Sequence, residues 1–68
     1  MTQEEIINEL EKIREERGIT RSRMNCDIDL SRNIIYRFGQ NGREHRYRTV
    51  ETVANYLGLE LILVPKED

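Results

Sequence analysis

A chain of 68 residues with 37% apolar and 35% charged side chains has room for one small, well-solvated domain and none for a substrate cavity behind its own core. One cysteine, Cys26, and one histidine, His45, exclude an internal disulfide and offer neither a metal-ligand set nor a nucleophile with base and orienter, so no cofactor and no enzymatic activity are expected. The net charge of −2 is unevenly spread: residues 1–16 hold six acids and two bases, residues 17–48 three acids and eight bases, and residues 49–68 four acids and one base. A basic middle between acidic ends suits one face on phosphate and another in solvent.

Thr2 followed three positions later by Glu5 is a capping box, and Ile6, Ile7, Leu10 and Ile13 repeat behind it at helical spacing. This first helix should end at Gly18, with Glu4 and Glu5 early and Arg14 and Arg17 late, as the helix dipole favours. Ile19 and Thr20 supply a staple and a cap for a second helix carrying Met24 and Ile28 on one face. Asn25 and Cys26 lie in that helix, Cys26 as a small, partly buried side chain and not a nucleophile.

A break at Asp27–Ser31 precedes a third helix. Ser31 caps it, Leu30 staples onto Ile35, and Ile35 and Phe38 share its inner face. Its outer face presents Arg32, Asn33, Tyr36 and Arg37, donors and flat side chains of the kind that meet base edges in a major groove. Residues 20–38 therefore read as a helix-turn-helix. Gly39–Arg48 reads as a long connector with a turn at Asn41-Gly42, and Arg43, Arg46 and Arg48, interleaved with His45 and Tyr47, are placed to run along a DNA backbone.

Thr49 is read as the cap of a fourth helix, with Val50, Val53, Ala54 and Leu57 as its inner stripe and Gly58 as its stop. Residues 59–64, LELILV, then read as a strand closed by Pro65. Nothing else in the chain is a convincing strand, so its edges need a partner from elsewhere. Leu59, Leu61, Ile62, Leu63 and Val64 are accordingly assigned to pairing with a second copy. That fits a core expected to supply only about 3 to 5 kcal/mol alone.

The run LEKIREERGITRSRMNCDIDLSRNIIYRF resembles the phage lambda-repressor and Cro-like (XRE-type) class of helix-turn-helix regulators, through Leu10, Arg14, Gly18, Met24, Ile28, Leu30, Ser31, Arg32, Ile35, Leu57 and Gly58. The resemblance spans roughly residues 6–64. Asn25, where a small alanine is usual, and Asp29, where glycine is usual, depart from the pattern. It implies a mainly α, lambda-repressor-like domain over residues 1–68, of about four helices with a short C-terminal β-strand for dimerisation. It further implies that Arg32, Asn33 and Arg37 look into the groove, with Tyr36 a fourth base contact, and that Thr20, Arg21 and Ser31 join Arg43, Arg46 and Arg48 on phosphate.

Two functions follow. The first is a dimeric, sequence-specific double-stranded DNA-binding regulator, a repressor of phage or antitoxin type reading a palindromic operator. The second is a protein-interaction module, an antitoxin or inhibitor whose helix-turn-helix face, with an exposed Ile34 and Tyr36, binds a partner such as a toxin. With no charged leader and no bilayer-length apolar run, no membrane association and a reducing, cytoplasmic location are expected.

Overall fold

The computed structural model describes residues 2–40 and 44–62. Over these residues the chain is mainly helical: α1 (Gln3–Glu16), α2 (Arg21–Asp27), α3 (Arg32–Arg37) and α4 (Tyr47–Tyr56). None of them is long and apolar enough to cross a membrane.

Three helix starts rest on local side-chain caps. Thr2 Oγ1 accepts from the Glu5 N–H at 3.2 Å while the Thr2 N–H donates to Glu5 Oε1 at 3.1 Å, closing the expected capping box on α1. Thr20 and Ser31 each accept from the N–H three residues on, Arg23 and Ile34, at 3.0 and 3.3 Å. Such a cap is worth about 1 kcal/mol. At the other end, α1 and α4 close in the same way: the Gly18 N–H donates to Glu15 O and the Ile19 N–H to Arg14 O, and the Gly58 N–H donates to Asn55 O and the Leu59 N–H to Ala54 O. Both glycines have φ near +70°, at 68° and 77°. This is the paired closure that satisfies terminal carbonyls and favours glycine at its left-handed position.

The start of α4 differs from the sequence reading. Thr49 does not cap it; Arg46 is the N-cap, with no side-chain capping bond, and Thr49 lies buried inside the first turn. A long-range clamp takes the place of a local cap: Gln3 Nε2 donates to His45 O at 2.6 Å and the His45 N–H donates to Gln3 Oε1 at 3.0 Å. The backbone just before α4 is thereby held by α1. Tyr47 and Arg48 consequently belong to the helix and not to the connector.

Ile7, Leu10, Met24, Ile28, Ile35, Phe38, Val50, Val53, Ala54 and Leu57 form one buried cluster drawn from all four helical segments. Phe38, Met24, Ile35, Leu57 and Val53 are its largest fully buried side chains. A six-residue helix such as α3 has no independent stability in water. Burying Ile35 and Phe38, at about 1.5 to 3 kcal/mol each, outweighs its cap and is what holds α3 in place. Leu59 and Leu61 are half-buried against the cluster, and Leu59–Ile62 has no strand conformation. The expected strand over residues 59–64 is thus not formed in its first four residues, while Leu63 and Val64 lie outside the described residues. Among the described residues no strand edge is present, and the two leucines pack on the domain's own core.

Candidate nucleic-acid interface

Between α2 and α3 the backbone turns through four residues, Ile28–Ser31. Ile28 leaves the helix with φ −110° and ψ 137° while still buried, so the turn is anchored in the core at its first residue and capped by Ser31 at its last. Leu30 packs against the same cluster as Ile35, in keeping with the expected staple. This buries one face of α3 and turns the other outward.

On that outward side, Arg32, Asn33 and Arg37 are exposed, whereas Ile34 and Tyr36 are half-buried and not exposed as expected. Arg32 and Tyr36 are also in contact with one another: the guanidinium carbon sits 5.4 Å from the centroid of the tyrosine ring. Two grooves flank the helix at Ile34. One, of about 310 Å³, is lined by Asn33, Ile34, Arg37, Glu44 and His45. The other, of about 700 Å³, is lined by Asp29, Leu30 and Ile34 on one side and Arg46, Arg48, Thr49 and Thr52 on the other. Tertiary structure thus brings Arg46 and Arg48, from the start of α4, to a groove that meets α3 at Ile34. Arg43 lies outside the described residues.

The basic middle of the chain divides into two groups. Arg17, Arg21 and Arg23 have partners within the chain: Arg17 and Arg23 are exposed, yet Arg17 Nη1 donates to Leu57 O at 2.6 Å and Arg23 pairs with Asp27 at 3.2 Å. Arg21 Nη1 donates to Ile35 O at 3.1 Å and Phe38 O at 2.7 Å, and its Nη2 pairs with Glu11 at 2.9 Å. Arg21, expected from the sequence on phosphate, has its guanidinium engaged within the fold, where it ties carbonyls at the end of α3 to Glu11 of α1. Among the described residues Arg32, Arg37, Arg46 and Arg48 enter no ion pair and stay exposed. Thr20 and Ser31 are exposed, with their hydroxyls engaged as caps. Cys26 is exposed and not partly buried as expected.

Among the residues that line the two grooves, Arg37, Arg46 and Arg48 outnumber the two carboxylates, Asp29 and Glu44. Glu44, Thr49 and Thr52 were not among the site residues expected from sequence. Thr52 follows Arg48 at helical spacing, a signal legible only once α4 is known to begin at Tyr47. Elsewhere, Asp27 accepts from the Tyr56 hydroxyl at 2.6 Å, tying the end of α2 to the end of α4. That bond, with Arg23 assisting, holds the Asp27 carboxyl below its ordinary range; the same bond pushes the Tyr56 hydroxyl up, against the Arg23 charge. Among the described residues no cluster of His, Cys, Asp and Glu suited to a metal ion occurs.

No family model, no curated protein and no solved structure matches the chain.

Proposed function

We propose that the chain is a lambda-repressor-like helix-turn-helix regulator that binds double-stranded DNA sequence-specifically as a dimer and represses from a palindromic operator in the cytoplasm. The observation that carries this reading is the gathering of four exposed, unpaired guanidiniums, Arg32, Arg37, Arg46 and Arg48, with Asn33 around one short helix that a capped four-residue turn holds outward. Arg32, Asn33 and Arg37 are assigned to base edges, since a guanidinium can bond guanine and an amide adenine in a bidentate fashion. Arg46 and Arg48, at the start of the adjacent helix, are assigned to phosphate.

The dimer is supported by a separate surface. Tyr47 and Ile62, 61% and 74% exposed, are the exposed large hydrophobics among the described residues. Both line one groove of about 200 Å³ together with Ile6, Val50 and Leu61. A second copy laid along residues 59–64 would cover it and offer the segment a strand partner, which the described residues do not provide. Sedimentation velocity at about 50 μM, where a dimer of modest affinity is populated, should show the dimer, and truncation after Gly58 should abolish it.

Fluorescence anisotropy with duplexes selected from a random pool, at several salt concentrations, tests the main reading. Arg32→Ala or Asn33→Ala should weaken the selected duplex by about 1 to 3 kcal/mol and random duplex much less. Arg46→Ala or Arg48→Ala should weaken both alike and reduce the slope of log affinity against log salt by about one. Absence of salt-dependent duplex binding would instead put the protein-interaction reading first, with the groove beside Ile34 as the contact surface.

A further inference from the structure

Tyr36 was grouped with Arg32, Asn33 and Arg37 as a base contact, yet its surroundings differ from theirs. The other three are exposed, whereas Tyr36 is half-buried and packed against the core cluster. Its ring is therefore held by the body of the domain. Arg32 is the first residue of α3 and Tyr36 lies four positions on, so both rise from the same face, and the helical side chain at Tyr36 leans back toward the N-terminus where Arg32 stands. The guanidinium lies over the ring at 5.4 Å.

We propose that Tyr36 is a positioning residue: its ring is a platform that holds the Arg32 guanidinium in the orientation in which it meets a base edge. The proposal rests on the DNA-binding reading and assigns Tyr36 a different part in it. An exposed arginine has many rotamers, and ordering them costs affinity on the duplex where the bidentate base contact forms. Stacking on an aromatic face restrains the guanidinium while leaving the N–H groups at its edge available, because the attraction acts through the flat face and the hydrogen bonds lie in the plane. A guanidinium already restrained discriminates better between a guanine, which it can bond twice, and a base it cannot. The phenolic hydroxyl has no part in this, so phenylalanine should serve as well as tyrosine. Leucine, shorter and without a π face but able to pack on the core, should not.

The test is a double-mutant cycle. Wild type, Tyr36→Leu, Arg32→Ala and the double variant are compared by the ratio of affinities for the selected duplex and a scrambled one, with Tyr36→Phe as the conservative control. Thermal melts of each protein are run alongside. The expected result is a three- to tenfold loss of the ratio in Tyr36→Leu, the order of a cation–π contact expressed as a ratio. No further loss is expected on adding Tyr36→Leu to Arg32→Ala, and Tyr36→Phe should be unchanged. A loss of equal size in both backgrounds would make Tyr36 an independent contact or a structural residue and overturn the proposal. So would a loss in Tyr36→Phe. In the protein without DNA, the Arg32 side-chain protons should show an upfield ring-current shift that disappears in Tyr36→Leu. Its absence in wild type overturns the platform while leaving DNA binding standing. If selection from the random pool yields no preferred duplex, the DNA-binding reading falls and takes the proposed role with it, whatever the ring-current result.

Discussion

Replacing Arg21 separates an internal role from a phosphate role. Its guanidinium donates to two carbonyls at the end of α3, Ile35 O and Phe38 O, and pairs with Glu11, while its side chain is only 22% exposed. In Arg21→Ala the carboxylate is not orphaned, because Arg14 still bonds both Glu11 oxygens, at 2.8 and 3.4 Å. The loss therefore falls on the two carbonyls. Hydrogen bonds from a charged donor contribute about 1.5 to 3 kcal/mol each, and water entering the vacated space recovers part of that, which leaves about 2 to 3 kcal/mol in all. Lysine can approach the carbonyls as a single point charge but cannot also reach Glu11 with a fork, so Arg21→Lys should lose about half as much. For a domain of this size 1 kcal/mol moves Tm by about 4 to 8 °C, so Arg21→Ala should melt about 10 to 20 °C lower. Circular dichroism melts and hydrogen exchange at the α3 amides read this directly. A melting temperature within about 3 °C of wild type, an effect under 1 kcal/mol, combined with a shallower salt dependence of DNA affinity, would refute the reasoning and return Arg21 to phosphate.

Gly39 has φ 80°, and a Cβ built there would lie 2.5 Å from Glu11 Cγ, so Gly39→Ala must both strain the backbone and displace the carboxylate that Arg14 and Arg21 share. A loss of about 2 to 3 kcal/mol by urea denaturation is expected, above the roughly 1 to 2 of the left-handed backbone alone, and an unchanged midpoint would contradict it. The Asp27–Tyr56 bond should shape the pH dependence of stability. Asp27 is held low, first by the Tyr56 hydroxyl, so its contribution is present above the ordinary carboxylate range and lost as pH falls through its lowered value; Tyr56 is held high, first by Asp27, so its contribution is present below about pH 10 and lost as pH rises through its raised value. Tyr56→Phe should flatten both limbs and return the Asp27 carboxyl toward its ordinary titration, as read by NMR.

Much of the secondary structure is legible in the residues because its determinants act across short, fixed separations. Thr2 with Glu5, Thr20 with the Arg23 amide and Ser31 with the Ile34 amide are each three positions apart, and the Gly18 and Gly58 closures span one turn. The apolar stripes of α1 and α4 follow from helical periodicity in the same way. The outward set Arg32, Asn33 and Arg37 is legible for that reason too, since the Ile35 and Phe38 positions dictate which face turns inward.

What the residues alone could not reveal depends on partners far apart in the chain. Gln3 holds the backbone at His45 from 42 positions away, and so α4 begins at Tyr47 where a local reading places the cap at Thr49. Arg17 reaches Leu57 O across 40 positions, and Arg21 reaches Glu11, Ile35 and Phe38 across 10, 14 and 17. An arginine reads the same in sequence whether it faces phosphate or a helix end, because its five donors suit either acceptor. Only packing α1 against α4 and α2 against α3 decides which carbonyls lie within its reach, and hence which of the basic residues remain outside to face a ligand.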